Sequence, residues 1–398
     1  MRGEVRLGEW LTGVGTGWSP VCDPRQPGGD EWGVLKLSAV TSGRFIESEA
    51  KALPRAFTPR LALEVRPGDV LMARANGVRE LVGVACTVGT VRPRLLLPDL
   101  VFRLTADPAV LHPEFLGIAL ASHAVRRQID DVMRGSSGQY KVSQADVRDL
   151  RIPRLDVDEQ ERVVAAHAAF ERRIGVLERA LDKLKVARSG LAEAAIDGPD
   201  VVLGEVLAER PRNGYSPQEV SEWSGLQALG LGCLTDEGFV PKQLKNVPDT
   251  VMGRRYVLRD GDLLMSRANT RELVGLAGRY QDVGSPCIYP DLMMRLRPDA
   301  KRCLPSYLEL VLRAPAMRRM VKAAARGTSE SMVKISSEVV EGLTVPLPDR
   351  ERQREIVRTV ASLDRRIAAR AEVIAKLRTV QQGVVEDLLA GRVRQAAA

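Results

Sequence analysis

Cysteine and histidine are scarce in this chain, with five of the first and three of the second in 398 residues. Cys22, Cys86, Cys233, Cys287 and Cys303 are odd in number and never spaced as C-x-x-C. That excludes a disulfide framework and a zinc-ribbon site. It predicts reduced, mostly buried thiols in a cytoplasmic protein. His112, His123 and His167 form no ligand set, so no metal site is expected. Met1 to Trp10 is charged and lacks the apolar stretch of a signal peptide. No apolar run reaches membrane-spanning length. The expected localisation is cytoplasmic, with no membrane partner.

Catalytic motifs are missing as well. There is no G-x-x-x-x-G-K-[ST] phosphate loop and no Asn/Asp-Pro-Pro-Tyr/Phe methyltransferase motif. Gly13-Val14-Gly15-Thr16-Gly17 is glycine-rich, but no strand is expected before it, and Pro20 interrupts the helix a dinucleotide fold needs after it. Glu49-Ala50-Lys51 has the E-x-K shape of half a nuclease site, without an upstream Pro-Asp and without a second copy. Ser136 and Ser329 have no evident base. No catalytic residue is expected, and no cofactor bound by this chain.

What the chain has is length, charge and repetition. Its length suits two or three domains, and 44% hydrophobic residues allow each a core. Lys and Arg number 59 against 51 Asp and Glu, a net charge of +8 that favours a polyanionic partner.

The sequence then repeats itself. Gly68-Asp69-Val70-Leu71-Met72-Ala73-Arg74-Ala75-Asn76 returns as Gly261-Asp262-Leu263-Leu264-Met265-Ser266-Arg267-Ala268-Asn269. Arg79-Glu80-Leu81-Val82-Gly83 returns as Arg271-Glu272-Leu273-Val274-Gly275. Pro98-Asp99-Leu100 matches Pro290-Asp291-Leu292, and Arg134-Gly135-Ser136-Ser137 matches Arg326-Gly327-Thr328-Ser329. Lys141-Val142-Ser143 matches Lys334-Ile335-Ser336. The repeat is half the chain, so this is a duplicated domain rather than a solenoid. Residues 11–34 and 206–226 share almost nothing, so a common task is expected to hold the matched blocks.

Each copy ends in a heptad pattern. Val163, Phe170, Leu177, Leu184 and Leu191 form one line, and His167, Ile174, Leu181, Arg188 and Ala195 a second. The other copy aligns Ile356, Leu363, Arg370, Leu377 and Val384 with Val360, Ile367, Ile374, Gln381 and Leu388. Gly198 and Gly391 are stop signals. Two such helices in one chain predict an antiparallel pair with approximate two-fold symmetry. The polar members His167, Arg188, Arg370 and Gln381 are suited to fixing register. His167 reads as a packing histidine.

Upstream of each helix the pattern is α+β with small sheets. Val70-Leu71-Met72 reads as a buried strand, and Leu81 to Val88 as another. One helix is expected over Pro113 to Met133, with Phe115, Ile118, Ala119, Leu120, Val125 and Ile129 inward, and its counterpart over Pro305 to Ala325. Asp69 and Asp262 read as turn residues.

Arg74, Asn76 and Arg79, with Arg267, Asn269 and Arg271, fall just after a strand in an expected exposed loop. Arginine can bond guanine, and asparagine adenine, with two hydrogen bonds each. Arg134, Ser136, Ser137, Gln139, Tyr140 and Lys141 form a second polar loop, echoed by Arg326, Thr328, Ser329, Ser331 and Lys334. Its hydroxyls and cations suit phosphate contacts. These residues are the DNA-binding candidates.

In this order the motifs resemble those of DNA-specificity subunits of type I restriction-modification enzymes. The resemblance rests on the Gly-Asp-Val/Leu-Leu-Met-x-Arg-Ala-Asn block, the Arg-Gly-Ser/Thr-Ser loop, and the Ile152-Pro153 and Val345-Pro346-Leu347-Pro348 exits into a long helix. It covers nearly the whole chain. It implies target-recognition domains at 1–153 and 199–347, with a central spacer helix at 154–198 and a distal one at 348–398. It implies a non-catalytic subunit that reads a bipartite site in double-stranded DNA, one half per domain, with the helix pair setting the gap. Two methyltransferase subunits and restriction subunits are the implied partners, and S-adenosylmethionine, ATP and Mg belong to them. The competing readings are an adaptor that uses the helix pair without reading DNA, and the same scaffold in another phage-defence complex.

Overall fold

The computed structural model describes residues 3–135, 138–327 and 332–392. It divides into two units, one of Met1–Leu177 with Val373–Ala398 and the other of Glu178–Glu372. Both boundaries fall inside long helices, Val157–Ala195 (the central helix) and Arg350–Leu389 (the distal helix).

In the first unit the chain pairs its first strand with its exit, Glu4–Arg6 antiparallel to Arg151–Pro153. Between them stands a four-stranded antiparallel sheet in the order Leu11–Thr16, Val101–Ala106, Val70–Ala73, Ala85–Thr87. A three-stranded sheet follows the order Ala50–Ala52, Gly33–Leu35, Leu95–Leu96, its last pair parallel. The second unit repeats this plan. Asp200–Val202 pairs with Thr344–Pro346. The four strands are Leu207–Asn213, Met293–Pro298, Leu263–Ser266 and Ala277–Arg279. The three are Leu244–Asn246, Gln227–Leu229 and Cys287–Ile288.

The central strand explains the layering. Val70, Leu71, Met72 and Ala73 are all buried, the pattern of a strand covered on both faces. Successive side chains point to opposite faces. Val70 and Met72 join Phe102, Phe115 and Leu116 in one core, while Leu71 joins Leu35, Leu95 and Val101 in another. Leu263 and Met265 join Tyr307 and Val311, while Leu264 joins Tyr289 and Met293. Each unit is therefore helices, sheet and smaller sheet in three layers. The α+β duplication is borne out, and the six inward residues named on the first helical segment are all buried.

Two expectations need correction. The segment from Pro113 to Met133 is two helices, Pro113–Ala121 and His123–Val132, and its counterpart is Pro305–Arg313 and Pro315–Ala324. Ser122 is extended, and its hydroxyl accepts from Val125 N as the cap of the second helix. In the other copy Pro315 opens the second helix, where its missing N–H is harmless. Nor is Leu81 to Val88 one strand: only Ala85–Thr87 is, because Gly83 turns the chain at φ +78.

Within each unit the helix segments run antiparallel. In the first, Gln381 Nε2 donates to the Glu171 carboxylate (2.9 Å), and Val163 shares a core with Val385 and Leu389. In the second, Arg188 grips Asp364 with two bonds (2.9 and 3.3 Å), and Arg352 lies 3.5 Å from Asp197. Val163, Ile174, Ile356, Val360 and Ile374 are buried seam members. His167, Phe170, Leu177, Leu181, Leu184, Leu363, Ile367 and Leu377 are half-buried. Toward the helix ends the seam slips by one residue. Leu191 is exposed and Ala192 buried; Val385 and Leu389 are buried where Val384 and Leu388 are only half so. At about 100° per residue, four heptads fall about 80° short of a full number of turns, and the next residue restores alignment to within about 20°.

Gly198 and Gly391 stop these helices with positive φ of +126 and +69. Asp156 and Asp349 start them by accepting from Glu159 N, and from Glu351 and Arg352 N.

Candidate nucleic-acid interface

Four recurring segments converge beside the four-stranded sheet of each copy. In the first, Trp18 N donates to Leu97 O (2.9 Å) and Arg74 N to Leu100 O (2.9 Å). Val142 N then donates to Arg74 O (3.0 Å). Ala75–Asn76 pairs with Tyr140–Lys141, which joins the two polar loops in one ladder. In the second, Tyr215 N reaches Tyr289 O (2.9 Å), Arg267 N reaches Leu292 O (2.9 Å), and Ile335 N reaches Arg267 O (2.9 Å). Ala268–Asn269 pairs with Val333–Lys334.

One of these segments escaped the reading of the sequence. Gly17-Trp18-Ser19-Pro20 recurs as Gly214-Tyr215-Ser216-Pro217 inside stretches that otherwise differ. A Cβ on Gly17 would lie 1.9 Å from Leu97 O, and on Gly214 2.0 Å from Tyr289 O, so only glycine fits. Ser19 bonds the Asp99 carboxylate and accepts from Asp99 N; Ser216 and Asp291 do the same. The aromatic differs in use. Trp18 carries the Arg60 guanidinium 4.4 Å from its ring, whereas Tyr215 stacks on Tyr256 at 5.7 Å. The Gly-aromatic-Ser-Pro spacing was the available signal. The glycine-rich run before it lies mostly in strand Leu11–Thr16.

The structure sorts the candidate side chains. Arg79 Nη2 donates to Asp130 O (3.1 Å) at the end of its helix, and Arg271 Nη1 to Lys322 O (3.2 Å) and Ala325 O (3.5 Å). These arginines satisfy helix-end carbonyls. The helices answer: Arg126 donates to Val82 O (2.6 Å) and Arg318 to Val274 O. Asn76 Oδ1 accepts from Val78 N (2.9 Å), and Asn269 Oδ1 from Thr270 N (2.8 Å), holding each turn. The repeated Arg-Glu-Leu-Val-Gly block is therefore explained by folding.

Arg74 and Arg267 are half-buried, each with a buried Nε lacking a hydrogen-bond partner among the described residues. Arg74 lies 5.4 Å from the Phe102 ring. Arg134, Gln139, Lys141, Arg326 and Lys334 are exposed, and Tyr140 is half-buried. Arg134 Nη2 pairs with Asp146 (3.3 Å). Ser136, Ser137, Thr328, Ser329 and Ser331 lie outside the described residues. Among the described residues no three His, Cys, Asp or Glu side chains are grouped to hold a metal, and no helix is long and apolar enough to cross a membrane.

Two further residues went unnoticed amid charged neighbours. Gln160 and Gln353, each fully buried, dock the long helices. Gln160 accepts from His112 N (2.8 Å) and donates to Val110 O (2.8 Å) and Leu155 O (3.0 Å). Gln353 accepts from Leu304 N (2.8 Å) and donates to Arg302 O and Pro348 O (both 2.9 Å). Both stand three residues before the first buried seam residue, Val163 or Ile356.

Known proteins agree with the resemblance. The chain is 30% identical to the type I restriction enzyme EcoEI specificity subunit of Escherichia coli over 194 residues, which are 48% of this chain and 32% of that protein. It is 20% identical to the StySPI specificity subunit of Salmonella potsdam over 358 residues, 83% of this chain and 74% of the other. The first of these alignments thus spans about a third of its relative. No protein-family model matches. Among solved structures, the fold matches a chain from a study of complex assembly and conformational transition of the type I R-M system, with TM-score 0.58, 22% identity and 97% of both chains covered. The type I restriction-modification S subunit of M. genitalium matches with TM-score 0.50 and 12% identity over 97% of this chain and 96% of the other. The chain is a homologue of type I specificity subunits.

Proposed function

We propose that this homologue of type I specificity subunits is the non-catalytic DNA-reading component of a restriction-modification complex. One observation carries the reading: the same four segments converge beside the same sheet twice in one chain, with exposed cations on each loop pair. Two reading surfaces on one polypeptide suit a bipartite duplex target. The recognition domains are residues 1–153 and 199–347, and the spacer helices 154–198 and 348–398. Arg74 and Arg267 are the base-reading candidates; Arg326 and Lys334 are the phosphate contacts, with Arg134 and Lys141 the weaker counterparts because Asp146 already pairs with Arg134. Two adenine methyltransferase subunits, and restriction subunits where present, supply the chemistry with S-adenosylmethionine, ATP and Mg. The work is done in the cytoplasm.

The test is selection of duplexes from a random-sequence library by the chain assembled with its methyltransferase partner, followed by mapping of methylated adenines. Two short constant blocks at a fixed gap are expected. Binding without sequence preference would instead mark an adaptor.

A further inference from the structure

Arg326 and Lys334 face each other as backbone partners, Arg326 N donating to Lys334 O (2.9 Å) and Lys334 N to Arg326 O (2.8 Å). Like charges directly opposite one another destabilise a strand pair. Arg134 and Lys141 repeat the arrangement in the first copy (3.0 and 2.9 Å). There Asp146, 3.3 Å from Arg134, supplies the counter-charge. Three residues after the matched serines Ser143 and Ser336, the second copy has Val339 where the first has Asp146. Among the described residues no carboxylate pairs with Arg326, Lys334 or Arg267. The carboxylate of Glu338 bonds the Ser336 side chain and is balanced by Arg210 rather than by Arg326 or Lys334. Arg267, Arg326, Lys334, Ser336 and Val339 line an open cavity of about 410 Å³.

We infer that this cavity is an anion site for one backbone phosphate of the duplex, present in the second copy and neutralised by Asp146 in the first. The inference rests on the DNA-reading proposal and adds an asymmetry to it. A phosphate there relieves the repulsion between the opposed cations and releases counterions from the DNA. In the first copy a phosphate must compete with a carboxylate already in place.

The experiment measures binding of the full chain, in complex with its methyltransferase partner, to a mixed-sequence duplex over a series of salt concentrations. Each neutralised phosphate adds about 0.9 to the slope of log K against log salt. Arg326→Gln is expected to lower the slope by about that amount, and Val339→Asp, which restores an internal counter-charge, by a similar amount. Arg134→Gln should change it much less. An unchanged slope in both second-copy variants, with wild-type binding intact, overturns the site and leaves the DNA-reading proposal standing. An equal drop for Arg134→Gln overturns the asymmetry. Wild-type protein that binds no duplex at any salt concentration overturns the proposal underneath.

Discussion

Asp69 and Arg103 form an ion pair of 3.1 Å between the turn that opens one strand and the middle of its neighbour; Asp262 and Arg295 repeat it at 3.4 Å. The same aspartates accept from Arg66 N (2.9 Å) and Arg259 N (3.0 Å). The expected turn role is thus joined by a tie across the sheet. Asp69→Ala should lower stability by about 1.5–3 kcal/mol, the range for charged hydrogen bonds. Asp262→Ala should cost more, since its pair is 9% and 14% exposed against 19% for both partners of the first. Urea unfolding checks both; equal costs would mean that burial does not set the strength.

Gln160→Leu and Gln353→Leu keep the side-chain volume roughly but strand one backbone N–H and two carbonyls each. A buried polar group without a partner costs about 1–3 kcal/mol. A loss of at least about 2 kcal/mol is expected by chemical denaturation, while Glu161→Gln on the exposed face should be neutral.

Two pairs of glycines separate backbone strain from crowding. Gly261 and Gly275 both have positive φ, +86 and +75, but a Cβ meets nothing within 4 Å at the first and Val321 Cγ1 at 2.2 Å at the second. Gly261→Ala should lose about 1–2 kcal/mol from the left-handed backbone alone. Gly275→Ala adds overpacking of about 1–3 kcal/mol. Gly68→Ala and Gly83→Ala should show the same order in melting temperature.

Arg74→Ala should cost on the order of 1–3 kcal/mol of discrimination at one base pair. Arg79→Ala, which frees a helix-end carbonyl, should lower stability and leave the recognised sequence as it was. Competition binding with single-base variants of the target distinguishes them; uniform weakening by Arg74→Ala would mark a phosphate contact instead.

Burial pulls the His167 imidazole below its ordinary pKa of 6.5, against the Glu171 and Glu114 carboxylates and with help from Arg44. The folded state therefore takes its proton later than the unfolded state as pH falls. Below 6.5 the unfolded chain binds more protons, so stability drops with pH until the folded imidazole protonates as well. Thermal unfolding should become more favourable, with a lower melting temperature, on going from pH 7 toward acid, and His167→Gln should flatten that part of the profile.

The duplication, the seam and the central strands were legible because they rest on local rules. Apolar spacing writes a helix face into the sequence, and Val70 to Met72 is a run of residues that all demand burial. The helix break at Ser122 was hidden, since serine occurs inside helices as well as at their caps. The slip from Leu191 to Ala192 was hidden because a strict heptad and a helix of 3.6 residues per turn diverge only over distance. Among the candidate site residues, chemistry suggested both Arg74 and Arg79. Only the position of Asp130 O shows that Arg79 already has a partner inside the fold.

By itself the sequence determined that two copies of one α+β body exist, each ending in an amphipathic helix, because periodicity and repetition are properties of residue order. The tertiary structure alone decided which repeated polar residues are consumed by the fold and which remain available. A hydrogen-bonding side chain carries the same letter whether its partner is a helix carbonyl or something outside the protein, and only packing brings that partner within reach.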